Sequence, residues 1–151
     1  MKPPVSDLES HIGYWLRFVS NHVSHAFMQK VEGEGVTVAE WAVMREMFQA
    51  ESFSPSRLAQ QLGMTRGTIS KLLARLCDKE LVKRTASGGD RRYQSVALTA
   101  MGERLVPKLA RLADDNDREF FGHLRSEQQT DFARLLKDIV QRHGWKDIPV
   151  S

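Results

Sequence analysis

SPSRLAQQLGMTRGTISKLLARLCDKELVKRTASGGDRRYQSVAL, residues 54–98, is the stretch from which the rest of the chain can be read. Ser54 is placed to cap a short helix and Pro55 to take its first position, where the missing N–H costs nothing. Leu58, Ala59 and Leu62 share one face of that helix, and Gly63 supplies the left-handed residue that stops it. Thr65 caps a second helix, in which Ile69, Leu72, Leu73 and Leu76 recur at the spacing of a buried stripe. Residues 81–85 and 93–98 then alternate as two short strands, joined across the tip Ser87-Gly88-Gly89-Asp90-Arg91-Arg92. A Gly-turned pair of helices running directly into a basic hairpin is the order of a winged helix-turn-helix, which makes duplex DNA the first partner to consider.

Charge is concentrated in the same place. Residues 54–99 hold nine Lys and Arg against three Asp and Glu, a balance of +6 in a chain whose total is +3, so the remainder carries −3. A cationic segment in a mildly acidic frame suits phosphate neutralisation by one face, because released counterions supply much of the binding free energy.

Opposite the apolar stripe of the second helix lie Gly67, Lys71, Ala74 and Asp78, flanked by Ser70 and Arg75. Small residues there let a helix sit deep in a major groove, while hydroxyls and cations meet base edges and phosphates. Thr65, Arg66 and Thr68 stand at the helix N-terminus, whose positive dipole end favours phosphate. Arg66, Thr68, Ser70 and Lys71 are the expected base contacts, and Arg75 an expected phosphate contact. On the hairpin, Arg84, Asp90, Arg91 and Arg92 are the candidate wing residues, since cations at such a tip can enter the negative minor groove. Asp90 cannot itself favour phosphate, so its expected role is to hold one of Arg91 and Arg92 at a fixed angle.

Outside this segment the pattern is helical. Leu8, Ile12, Trp15, Leu16, Val19, Val23, Ala26, Phe27 and Val31 mark one face of a long helix over about 7–31, ended by Gly33 and Gly35. Thr37 and Glu40 have capping-box spacing before a second helix reaching about residue 50. After the wing, Thr99 precedes a helix through Leu105, Leu109, Leu112, Phe120, Phe121 and Leu124, with Pro107 expected to kink it or disturb its first turns. Ser126 is the expected cap of a last helix that stops near Gly144. The fold class is thus mainly α with a small β-wing. Residues 1–151 are expected to form one domain, with a DNA-binding lobe at about 36–99 flanked by terminal helices at 7–32 and 100–144. Those helices carry more apolar surface than a small lobe can cover; either they pack back on it or they meet a second copy. A homodimer is the favoured reading, because paired recognition helices one helical turn apart read a palindrome.

Several classes are set aside. A single cysteine, Cys77, excludes an internal disulfide and fits a reducing cytosol, and residues 1–10 lack the apolar run of a secretory signal. No run is long enough to span a bilayer, so no membrane is expected and the protein is placed in the cytoplasm, on the nucleoid when bound. Cys77 as a peroxide sensor lacks an evident cation or second cysteine. His22 and His25 share a helix face that could hold a metal with His11 or Glu32, but solvated histidines are the better account, so no metal and no cofactor is expected. No phosphate loop, nucleophile elbow or metalloprotease motif points to an enzyme. A winged helix serving as a docking module for an acidic protein is the remaining alternative.

Gly35-Val36-Thr37 before a Trp41-bearing helix, Leu58-Ala59-Gln60-Gln61-Leu62-Gly63, Thr68-Ile69-Ser70-Lys71-Leu72-Leu73, and above all Asp90-Arg91-Arg92 followed by Val96-Ala97-Leu98-Thr99 and Gly102, resemble the MarR family of bacterial transcription regulators over nearly the whole chain. The resemblance implies a homodimer joined by its first and last helices. It also implies binding to pseudo-palindromic promoter DNA, usually as a repressor released by a small, often aromatic or phenolic ligand. Asp90 and Arg92 become the wing pair, with the arginine in the minor groove. Many members have Gly where this chain has Glu80, so a looser turn into the wing is expected. The family's ligand pocket lies between the dimer helices and the DNA-binding lobe. Tyr14, Trp15 and Phe18 with Trp41 and Arg45 are the candidates here, aromatic walls and one cation suited to an aromatic carboxylate or phenolate.

Overall fold

The computed structural model describes residues 1–86 and 94–146. A 3₁₀ turn, Leu8–Ser10, precedes α1 (Ile12–Glu32), followed by α2 (Val38–Met47), α3 (Pro55–Leu62), α4 (Arg66–Asp78), β1 (Val82–Ala86), β2 (Gln94–Leu98), α5 (Ala100–Phe121) and α6 (Ser126–His143). The strands pair antiparallel, with Val82 opposite Leu98 and Ala86 opposite Gln94. Phe53 adds a one-residue bridge on the other side of β2, exchanging backbone hydrogen bonds of 2.9 and 2.8 Å with Val96.

Local chemistry accounts for most element boundaries. Thr37 and Glu40 form the reciprocal capping box that starts α2. Ser54 Oγ accepts from Arg57 N–H with Pro55 in the first position of α3, and Gly63 closes that helix at φ +64°. Thr99 Oγ1 accepts from Gly102 N–H to start α5.

Four expectations need adjustment. The first helix does not begin at Asp7: Ser10 Oγ donates to Asp7 O and Trp15 Nε1 to Glu9 O, local bonds that favour a 3₁₀ turn, and the chain is extended at His11 before α1 starts. The second helix stops at Met47, short of residue 50. Ser126 is the first residue of α6 rather than its cap; Gln128 Oε1 accepts the Arg125 N–H at 2.9 Å, so a side chain inside the first turn does the capping. Pro107 lies inside α5, whose helix is continuous from Ala100, so its first turns are not disturbed as one of the two expectations had it.

The core is built from one face of each lobe helix. Val43, Met44, Met47, Leu58, Leu62, Ile69, Leu73 and Leu76 close on Leu81, Val82, Val96 and Leu98 of the wing base and on Val106 and Leu109 of α5. In contrast, α1 buries only Val31 and α6 buries nothing. Ile12 (84% exposed), Trp15, Leu16, Phe18 and Val19 on α1, with Leu135 (63%), Leu136, Ile139 and Val140 on α6, leave large apolar faces open in the single chain. Helix α1 is tied to the second half of α5 by side-chain hydrogen bonds. Lys30 Nζ donates to Asn116 Oδ1 and Glu119 Oε2, both at 2.8 Å, and Asn116 Nδ2 donates to Val23 O at 3.1 Å.

Candidate nucleic-acid interface

Helix α4 is divided cleanly by burial. Ile69, Leu72, Leu73 and Leu76 are in the core, while Thr65, Arg66, Gly67, Thr68, Ser70, Lys71, Ala74, Arg75 and Asp78 are exposed. All seven residues expected to meet DNA from this helix therefore lie together on or beside one solvent face. Thr65 Oγ1 accepts from Thr68 N–H at 3.1 Å and donates to Thr68 Oγ1 at 2.9 Å. The Thr68 hydroxyl thus keeps its own proton for an acceptor outside the helix. A Cβ on Gly67 would meet nothing nearer than Thr65 Oγ1 at 3.9 Å, so the surface there is flat enough for close approach.

The far end of α4 is fixed by three backbone bonds: Lys79 N–H to Arg75 O, Glu80 N–H to Cys77 O, and Leu81 N–H to Leu76 O, the last at 3.0 Å. A bond from the second residue past the cap to a carbonyl five residues back is the Schellman closure, and it places Glu80 in the left-handed region at φ +62°. The turn into the wing is consequently tight, not loosened as the replacement of Gly by Glu80 suggests. The start of α5 holds this strained turn in place: Thr99 Oγ1 donates to Glu80 O at 2.7 Å and Thr99 N–H to Leu81 O at 3.0 Å. Gly102 belongs to the same junction, because a Cβ there would stand 2.2 Å from Leu81 O.

Lys79, which closes α4, donates to both oxygens of Glu40 at 2.8 and 2.9 Å, and Glu40 Oε1 also accepts from Thr37 N–H at 3.0 Å. Glu40 is fully buried. Burial pushes its carboxyl pKa up, but hydrogen bonds from Lys79 and Thr37 and the Lys79 charge together outweigh this and hold it below the ordinary carboxylate value. The capping box was legible in sequence; the second use of its glutamate was not, because Lys79 lies 39 residues away.

On the wing, Arg84 is exposed on β1, in register with Val96. Asp90, Arg91 and Arg92 lie outside the described residues. Arg57, which sequence reasoning counted only as charge, is held over the Phe53 ring at 4.8 Å from its centroid, beside the bridge to β2.

The ligand-pocket candidates separate into two groups. Tyr14, Trp15 and Phe18 form a run of ring contacts along α1, Tyr14 to Trp15 at 5.1 Å and Tyr14 to Phe18 at 6.3 Å. Trp41 instead lines a cleft of about 270 Å³ between α1, α2 and α5, with Phe27, Asn116 and Asp117 among its walls, and Arg45 is exposed on α2. Within one chain the five do not share that cleft, since sequence spacing could not say which way α1 faces. His22 meets Phe18 in a tilted ring contact at 5.1 Å, and among the described residues no three potential metal ligands are grouped. Cys77 is half-buried against the core. No helix among the described residues is long and apolar enough to cross a membrane.

Known proteins resemble this arrangement. The sequence profile of the MarR family matches residues 34–92. The transcriptional regulator HosA of Escherichia coli O157:H7 is 30% identical over 105 residues, covering 70% of this chain and 78% of HosA. Among solved structures, a cysteine-to-serine mutant of MarR from E. coli complexed with operator DNA superposes with a TM-score of 0.74 at 24% identity, covering 89% of this chain and 99% of the other. Bordetella bronchiseptica BpsR, solved in a study of how 6-hydroxynicotinic acid regulates its DNA binding, also gives 0.74, at 22% identity, covering 91% of this chain and 97% of BpsR.

Proposed function

Because the chain belongs to the MarR family of transcriptional regulators, a DNA-binding and non-enzymatic family, we propose that it acts as a cytoplasmic homodimer. In this reading the dimer represses transcription by occupying pseudo-palindromic promoter DNA, and a small aromatic acid releases it. The observation that carries the reading is the division of α4. Its apolar stripe is wholly committed to the core, while Arg66, Thr68, Ser70, Lys71 and Arg75 are all offered to solvent on a helix whose N-terminus is capped and open to phosphate. Arg66, Thr68, Ser70 and Lys71 read base edges, Arg75 and Arg57 hold phosphates, and the wing places Arg84, Arg91 and Arg92 along the adjacent minor groove with Asp90 orienting one arginine.

Pairing follows from the uncovered apolar faces of α1 and α6, which a second copy would bury while setting the two reading helices apart by one turn of DNA. The same pairing would carry Tyr14, Trp15 and Phe18 of one protomer toward the Trp41 cleft of its partner. That completes an aromatic pocket for a ligand of the chemistry that BpsR's 6-hydroxynicotinic acid represents. Such a ligand weakens DNA binding only by its different affinity for the two spacings of the reading helices.

The experiment is a binding titration of the purified protein against inverted-repeat and scrambled duplexes at several salt concentrations, with its mass measured by sedimentation. The reading requires a dimer, a preference for inverted repeats, and affinity that falls steeply with salt. A monomer indifferent to sequence symmetry overturns it.

A further inference from the structure

Phe53 stands immediately before the cap of α3 and is only 3% exposed, yet one face of its ring carries the Arg57 guanidinium at 4.8 Å from the centroid. We propose that Phe53 is a positioning residue for DNA binding: its ring holds Arg57 ready for a backbone phosphate, and its bridge to β2 fixes that contact relative to the root of the wing. The inference rests on the DNA-binding reading above and names a device within it.

The backbone and the side chain of Arg57 are fixed separately. Ser54 Oγ accepts the Arg57 N–H at 3.1 Å in the first turn of α3, and the Phe53 ring attracts the guanidinium through its negative face. Arg57 is exposed and makes no ion pair among the described residues. A ring takes up no hydrogen-bond donor as a carboxylate would, so the N–H fork of Arg57 stays available to a phosphate. An arginine already confined loses less rotamer freedom on meeting DNA, and more of the contact energy is left as affinity.

The ring is anchored in turn. Phe53 N–H donates to Val96 O at 2.9 Å, Phe53 O accepts from Val96 N–H at 2.8 Å, and Val96 pairs on its other side with Arg84. One row therefore runs from Phe53 through Val96 to Arg84, across two strand spacings or roughly 10 Å. Arg57 and Arg84 stand at opposite ends of that row, one in the first turn of α3 and one at the wing root. Since the first helix of a helix-turn-helix crosses the DNA backbone, the row ties a phosphate contact of α3 to the placement of the wing.

The test uses the full chain and reads the ring contact apart from DNA. In the free protein, NMR should place the Arg57 Cδ protons upfield of their ordinary position through the ring current, and Phe53→Leu should abolish that displacement. Arg57→Gln should weaken inverted-repeat and scrambled duplexes alike and lower the slope of log affinity against log salt by about 1. Phe53→Leu should weaken both duplexes roughly threefold, and in the Arg57→Gln background it should change nothing. Pentafluorophenylalanine in place of Phe53 keeps the shape and reverses the charge of the ring face, so it should weaken binding as Phe53→Leu does and serves where that variant fails to fold. An ordinary Arg57 proton shift in the parent overturns the positioning role. So does a Phe53→Leu effect that persists without Arg57, the behaviour of a residue that only packs the core. Indifference to Arg57→Gln in a parent that binds inverted repeats overturns it as well and leaves the DNA-binding reading standing. A parent with the ring shift but no duplex affinity overturns that reading and with it the phosphate contact.

Discussion

Lys79 and Glu40 join α4 to α2: the ammonium of the residue that closes α4 lies 2.8 and 2.9 Å from the carboxylate oxygens of the capping-box glutamate of α2. The carboxylate is fully buried and the lysine is not, so the pair is satisfied from one open side. Removing the cation leaves a buried charge with only backbone support. Lys79→Met is therefore expected to lower stability by about 2 kcal/mol, the part-exposed lysine being discounted for solvent screening, as read by urea unfolding. Glu40→Gln with Lys79→Met together should cost less than the sum of the single changes.

The same pair sets a pH dependence. Glu40 has a folded pKa below its ordinary value, so its contribution is fully present above the unfolded carboxylate range and is lost as pH falls through the folded value. The unfolding midpoint of the parent should drop as pH falls below the ordinary carboxylate range. In Glu40→Gln that portion of the drop should vanish, and an identical acid profile in both proteins would contradict the assignment.

Glu80 is the one non-glycine residue with positive φ among those described, at +62°. Its side chain opposes a backbone conformation that glycine adopts freely. Glu80→Gly should raise stability by about 1 kcal/mol, visible as a higher thermal midpoint without loss of DNA binding.

Gly102 behaves in the opposite sense. Its added Cβ would stand 2.2 Å from the Leu81 carbonyl oxygen, which is backbone and has no rotamer by which to move away. Gly102→Ala should cost on the order of 3 kcal/mol or displace the wing from α5, and chemical denaturation would detect either.

On the reading face, Lys71→Ala and Arg92→Ala should each cost on the order of 1–3 kcal/mol in inverted-repeat affinity if they contact bases. Arg75→Ala should weaken all duplexes alike and reduce the slope of log affinity against log salt by about 1. Fluorescence anisotropy over a salt series separates the two outcomes.

Helix α6 has no buried residue, so its apolar face can be charged without disturbing the fold of one chain. Leu135→Asp with Ile139→Asp should give a folded monomer by sedimentation and circular dichroism. An unchanged dimer would place the interface elsewhere.

Much of this protein is written in short-range sequence. Ser54 with Pro55, Thr37 with Glu40, Thr65 before Arg66, and Gly63 and Gly144 at positive φ act within one helical turn, where residue chemistry alone sets hydrogen bonding and backbone freedom. The split of α4 into core stripe and open face follows from period, and so was equally legible. Tertiary structure decided what joins residues distant in the chain: Lys79 on Glu40, Leu81 against Gly102, Phe53 on Val96, and Asn116 on Val23. It also decided that Trp41 and the α1 aromatics stand apart, because periodicity fixes which residues share a face but not the direction that face takes. Only the packing of whole elements settles that, since burial is a property of the assembled surface and not of any one helix.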